Sequence, residues 1–450
     1  MPSKPSMVSV KQLFNGGNKW LLMIIACVVT VINMGLVLSF GSLFVALMEK
    51  FQTDHSTTAA VQSLLVGGTL SFGVVSGILI SRIGLTLVTF ISGILVTSGF
   101  CMSYFAVSIY FLYVSIGIVS AIGISLSFIS SLTLARQAFT GTQSMVFISL
   151  VNTSISVGAI IYPFFLQWLR ERYGLSGTFL ILGGITSNTF TLFVMCRMHH
   201  VDVKSTTSKY GSVGDIVSDS APGKNSEGQR KKVRYFEDLI SLAYLCLLFA
   251  TGFSVAAFNG YIALMLDISL WKGFSNSQGL LSMEVYHIFG ILSRLLPAVV
   301  KYKTNISVFV CAIISAASGC IGQLMLYVTS GFVPYIIGTC LSGIAIGGIL
   351  SSSLILIIEV VRLEQSPVAY GLLYTANGLL STVTGYMLGK FRDISDSYSS
   401  VILTICGSQL IAAVLYFIAY ISWKRKTSKE NILYFKEVDL LAPTNVENDL

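Results

Sequence analysis

Twelve apolar runs, each at least twenty residues long, dominate this 450-residue chain. They fall at 20–47, 58–80, 85–106, 109–134, 144–168, 177–196, 239–266, 279–299, 306–328, 333–358, 367–388 and 399–423. A bilayer's hydrocarbon core is about 30 Å thick, and about 20 helical residues cross it. Backbone groups in lipid must find their hydrogen bonds within the segment, which selects helix over loop. Only 11% of the residues are charged, against roughly 25% in a soluble domain. Such a chain has too little charge to cover a water-facing surface. The expected fold is therefore all-α: a polytopic membrane protein of twelve transmembrane helices. The second, fifth and eleventh runs are rich in Ser, Thr and Gly, which suits close helix packing better than lipid contact.

One long polar stretch, 197–238, divides the runs six and six. It carries Ser, Gly, Lys and Asp without apolar periodicity and reads as a flexible cytoplasmic linker. The implied organisation is a six-helix bundle at 1–196, a linker at 197–238, a second six-helix bundle at 239–423 and a cytoplasmic tail at 424–450, read as disordered. If both termini and the linker are cytoplasmic, 22 of the 28 Lys and Arg residues lie on that side. The other side keeps Lys50, Arg170, Arg172, Lys272, Lys390 and Arg392. That asymmetry follows the positive-inside rule and requires an even number of spans. The first run is longer than the 7–15 apolar residues of a signal peptide, so it reads as a retained span.

The net charge of +8 does not point to nucleic acid. The dense basic run, Arg230 to Arg234, just precedes a span, where it suits anionic lipid head groups. The eight cysteines lie in or beside apolar runs, none at metal-ligand spacing, and read as small buried hydrophobes. Gly67-Gly68 and Gly347-Gly348 lack the Lys-Ser/Thr partner of a phosphate loop. Neither a Gly-x-Ser-x-Gly elbow nor an HExxH helix occurs. The expectation is a protein that is not an enzyme, with no catalytic residues, cofactor or metal.

Two six-helix halves joined by a cytoplasmic linker resemble the major facilitator superfamily. Gly77-Ile78-Leu79-Ile80-Ser81-Arg82-Ile83-Gly84 resembles its tight turn between the second and third helices, with Ser81 at the usual acid and Leu85 at a usual base. More specific likenesses point to the monocarboxylate transporter family. Asn15-Gly16-Gly17-Asn18-Lys19-Trp20 resembles the approach to its first helix, and Ser39-Phe40-Gly41-Ser42-Leu43-Phe44 the end of that helix. Ser131-Leu132-Thr133-Leu134-Ala135-Arg136-Gln137-Ala138-Phe139 resembles the turn before its fifth. Tyr173-Gly174-Leu175-Ser176-Gly177-Thr178-Phe179 resembles the start of its sixth. Leu356-Ile357-Ile358-Glu359-Val360-Val361-Arg362-Leu363-Glu364 and Tyr370-Gly371-Leu372-Leu373 resemble its tenth-to-eleventh connection.

The resemblance implies a major facilitator fold and a secondary transporter. Its implied partners are a small-molecule substrate, the lipid bilayer and an accessory membrane glycoprotein, and its implied location is the plasma membrane. Two departures bear on mechanism. Proton-coupled members of the family carry a lysine late in the first helix, where this chain has Leu38. They carry an Asp four residues before an Arg in the eighth helix; here Arg294 is present and the Asp position is Gly290. Relatives lacking these groups carry, by resemblance, other solutes, among them aromatic amino acids, thyroid hormones, carnitine and creatine.

Ionisable groups inside a membrane cost several kcal/mol and are functional candidates by default. Arg294 heads the substrate-binding set, because a buried guanidinium needs an anion and a carboxylate matches its planar fork. The structural alternative is an arginine that snorkels to the interface. Glu284 and His287 share its helix face, as proton or substrate groups or as a polar cap. Asn33, Asn259 and Asn377, with Asn152, are amides that glue helices or line a cavity. Tyr374 and Phe258 could supply aromatic walls. Arg82, Arg136 and Glu359, at cytoplasmic helix ends, are gating candidates. The expected function is a carrier for a small organic solute, a monocarboxylate or related organic anion or zwitterion, working by alternating access. A second reading stays open: a transporter-like protein that no longer transports and acts as a sensor or scaffold.

Overall fold

The computed structural model describes residues 10–53, 55–139, 141–198, 238–304, 306–395 and 397–441, so most of the 197–238 linker lies outside the described residues. The first half contains α1 (Val10–Ser39), α2 (Phe44–Phe51), α3 (His55–Ser71), α4 (Gly73–Ile83), α5 (Leu85–Ser103), α6 (Ile109–Val114), α7 (Ala121–Ala138), α8 (Gly141–Thr186) and α9 (Thr189–Met198). The second contains α10 (Leu242–Trp271), α11 (Asn276–Lys303), α12 (Val308–Val328), α13 (Phe332–Val360), α14 (Ser366–Ser395) and α15 (Ser399–Leu441). The fold is all-α, with no strand among the described residues. Among the described residues, nine helices, or ten if α3 and α4 count as one bent span, are long and apolar enough to cross a membrane, and α8 spans two of the twelve apolar runs.

The spans differ from the apolar runs in instructive ways. The second is broken at Phe72, where α3 and α4 meet at 43°. The fourth contains a π-helical turn, Ser115–Ser120, between α6 and α7. The fifth and sixth have no loop between them: α8 turns at Gly174 alone, with φ 67° and ψ 177°. Residues with a Cβ rarely adopt a positive φ, whereas glycine does so freely. The sixth span then continues through α9.

The polar tail also departs from expectation. The helix α15 runs unbroken from the membrane to Leu441. Between Lys424 and Leu441 the chain has neither Pro nor Gly, and Pro443 follows shortly after. Lys, Glu and Leu favour helix, so nothing local stops it.

Lipid supplies no hydrophobic drive between helices, so small residues that let backbones meet decide the packing. The contact between α4 and α14 shows this across the two halves. A Cβ on Gly73 would stand 2.7 Å from the Gly371 carbonyl oxygen. The backbones of Gly77 and Pro367 meet one turn further along.

Candidate functional site

The two halves meet where spans two, four, five, eight, ten and eleven converge. Arg294 on α11 donates through Nη1 to the Asn152 carbonyl of α8, at 2.6 Å. It therefore faces the opposite half rather than lipid. Three residues before Asn152, the Ser149 and Ser351 hydroxyls are 2.8 Å apart, joining α8 to α13. Phe128 of α7 meets Tyr374 of α14 edge to face, with ring centroids 5.0 Å apart. The Val74 amide donates to Thr375 Oγ1 at 2.9 Å. Arg136, at the end of α7, donates through Nη2 to the Ile358 carbonyl near the end of α13, at 3.0 Å. All of these contacts lie in the stretches of helix nearest residues 198 and 238, the linker end of the bundle.

The centre is polar and incompletely paired. Arg294 has no carboxylate partner among the described residues. Its Nε is buried without a hydrogen-bond partner, as are both side-chain polar atoms of Asn152 and of Asn377 and the hydroxyls of Tyr374 and Tyr286. Tyr374 and Tyr286 both lie within electrostatic range of Arg294. Buried polar groups in folded proteins are nearly always hydrogen-bonded. Free hydroxyl donors near an unpaired guanidinium match what a carboxylate, which only accepts, needs. Phe258 stands behind it, 6.4 Å from the Tyr286 ring between centroids.

The other sequence candidates are placed unevenly. His287 is half-buried one helical position from Tyr286, and both Glu284 and Arg294 act on it electrostatically. Glu284 itself is exposed. Asn33 is fully buried within the first half, where its amide donates to Ser127 and Thr189, each at 3.0 Å. Asn259 is exposed and donates to Ser381 Oγ at 2.9 Å. Leu38 is exposed, and Gly290 is buried one turn from Arg294.

At the linker end, Glu359 pairs with Lys301 at 2.9 Å, and its backbone carbonyl accepts from Trp423 Nε1 at 3.3 Å. Arg82 is exposed at the end of α4. A further cluster escaped the sequence reading. Asp238, taken as the last linker residue, is buried and joins Arg362 at 3.2 Å to Lys426 at 3.0 Å. It ties the start of α10 to the connection after α13 and to α15. Tyr370 and Tyr286 were also missed. The only available signal was the recurrence of polar residues at 370, 374, 377 and 381 on one face of the eleventh span.

The sequence profile of the Major Facilitator Superfamily matches residues 22–385, most of the chain. The chain belongs to the Major Facilitator Superfamily. Within this superfamily it resembles monocarboxylate transporters, as its motifs implied. It is 33% identical to mouse (Mus musculus) monocarboxylate transporter 9 over 174 residues, covering 39% of this chain but only 34% of that relative. It is 23% identical to human (Homo sapiens) monocarboxylate transporter 6 over 412 residues, covering 89% of this chain and 80% of that one. Solved superfamily structures share its architecture. The proton:xylose symporter XylE, bound to 6-bromo-6-deoxy-D-glucose, superposes with a TM-score of 0.65 at 12% identity, covering 91% of this chain and 96% of that one. FucP, in its outward conformation, gives 0.60 at 11% identity, covering 90% and 99%. Superfamily membership makes this chain an integral, multi-pass membrane protein of a transporter family rather than an enzyme family.

Proposed function

We propose that this protein is a secondary carrier that moves a monocarboxylate, or a related organic anion or zwitterion, by alternating access. One observation carries the reading: Arg294 sits between the halves on the Asn152 carbonyl, unpaired with any described carboxylate, while the Asn152 amide and the Tyr374 hydroxyl are buried without partners. A carboxylate bound there makes charge-assisted bonds that a backbone carbonyl makes only in part. His287 and Glu284, further along the same helix, line the approach. Asn259 with Ser381 marks its outer part, and Asn33 supports the first half from behind.

In this reading the linker and both termini are cytoplasmic, and the units 1–196 and 239–423 rock about the site. The contacts at the linker end then describe a cytoplasm-closed carrier. Arg136 on the Ile358 carbonyl holds that end shut, the Glu359–Lys301 pair braces the second half, and Arg82 flanks the closed face. The same likeness to monocarboxylate transporters underlies the proposed plasma-membrane location and an accessory membrane glycoprotein.

The test is counterflow of labelled solutes in liposomes holding the purified full chain. Benzoate, an aromatic amino acid and a creatine-like cation would be compared. Exchange of benzoate above the other two supports the reading. Exchange of the cation alone, or of none of the three, defeats it; a sensor or scaffold exchanges nothing.

A further inference from the structure

Tyr370, Tyr374, Asn377 and Ser381 recur on α14 at intervals of four, three and four, which places them on one helix face. The stripe begins at the exposed Asn259–Ser381 bond. It passes the buried amide of Asn377 and the buried hydroxyl of Tyr374, both without partners. It ends at Tyr370, four residues nearer the linker, about 6 Å along the axis at 1.5 Å per residue.

The two tyrosines repeat one arrangement. Tyr374 lies within electrostatic range of Arg294, and Tyr370 within range of Arg136. Each arginine reaches across to a backbone carbonyl of the other half: Arg294 to Asn152, and Arg136 to Ile358. Each keeps a buried Nε without a partner, and both tyrosine hydroxyls are buried without one. Tyr370 is completely buried. The carboxylate nearest in sequence to Ile358 is Glu359, and it is engaged by Lys301 at 2.9 Å. Arg136 therefore holds a carbonyl rather than an acid, and a carbonyl is a weaker partner than a carboxylate.

We propose that Arg136 and Tyr370 form a second carboxylate-binding station, which the substrate occupies on its way between Arg294 and the linker end. This rests on Arg294 being the first such station. A solitary deep cation would retain the anion it binds; two cations, acting beside tyrosines one helical turn apart on α14, divide the descent into shorter steps. An anion arriving at Arg136 also displaces the Ile358 carbonyl, which loosens the closed end as the solute needs it open.

Sided kinetics in proteoliposomes, with benzoate as probe, test this. Losing a charge-assisted partner costs about tenfold or more in affinity. Arg136→Gln is expected to raise the linker-side KM by about that factor, the lost partner outweighing the loosened end. Tyr370→Phe, a milder change, is expected to raise the linker-side KM about threefold, on the scale of one neutral hydrogen bond. A residue that only gates acts on the population of open states. Weakening such a gate lowers the linker-side KM and raises the opposite one. That reciprocal pattern, or an unchanged linker-side KM in both variants, overturns the second station alone. Wild-type liposomes that carry no benzoate overturn the Arg294 reading and this one together.

Discussion

The Arg294 guanidinium of the second half rests on the Asn152 carbonyl of the first, 2.6 Å away and inside a helix. A carbonyl can accept a second bond without breaking its helical one. The contact joins the halves while leaving the cation's charge uncompensated. If this cation binds a substrate carboxylate, Arg294→Lys is expected to fail as well as Arg294→Ala, since an ammonium cannot reproduce the two-bond fork. Loss of one charge-assisted bond, about 1.5–3 kcal/mol, corresponds to roughly one to two decades in apparent affinity. Surface expression should hold in both variants. Normal uptake by the lysine variant would end the binding role.

Coupling is the second expectation. Leu38 and Gly290 stand where proton-coupled relatives carry Lys and Asp, so uptake should follow the solute's own gradient. A several-fold rise under an inward proton gradient, at fixed substrate ionisation, would count against this and direct attention to His287, whose ordinary titration falls in that pH range. Gly290 has room for a Cβ, with the Gly343 carbonyl oxygen 3.5 Å from that position. Gly290→Asp is accordingly expected to introduce pH-dependent uptake by placing a carboxylate one turn from Arg294. A flat pH profile in an expressed Gly290→Asp protein would show that the missing acid is not the reason.

The contact of α4 with α14 admits no side chain at Gly73 or Gly371. Gly371→Val should force the linker end apart and cut transport at least tenfold, because branched bulk between two backbones cannot be absorbed by a rotamer change. A cysteine placed near the closed end should become more reactive to cytoplasmic reagents in that variant. Unchanged labelling together with normal transport would contradict the packing argument.

Asp238 offers a thermodynamic cycle. Arg362→Gln and Lys426→Gln each leave the buried carboxylate one cation, and both cations are half-exposed, so each single change should cost little. The double variant leaves the carboxylate unpaired, at a cost of order 1–3 kcal/mol. The loss of thermal stability should exceed the sum of the singles; simple additivity would refute a shared clamp.

Protease access separates the topologies directly. If the 22-to-6 division of basic residues reflects the positive-inside rule, the linker 197–238 is expected to be protected from protease on intact cells. Cleavage within the linker on intact cells would invert the assignment.

The spans were legible because lipid imposes one demand, about 20 apolar residues, and twelve runs meet it. Their breaks were less so. Phe72 ends α3 because α4 turns to meet α14, a partner some 300 positions away in sequence that no local pattern announces. Arg294 stood out as a lone cation in an apolar run. Asp238 did not, because a carboxylate beside a polar linker looks solvated until the fold brings Arg362 and Lys426 to it. Asn33 and Asn377 look alike in sequence. One has its donors taken by Ser127 and Thr189, the other has no partner, and only the packing separates them.

Gly174 carries a mechanical consequence. With a single residue in place of a loop, spans five and six share a joint whose freedom is one pair of torsions. The joint has no slack to take up movement. In the rocking proposed above, if the fifth span swings with its Asn152 carbonyl, the sixth must follow as the second arm of a crank. In that motion the stroke would reach Met198, where α9 ends within the first residues of the linker.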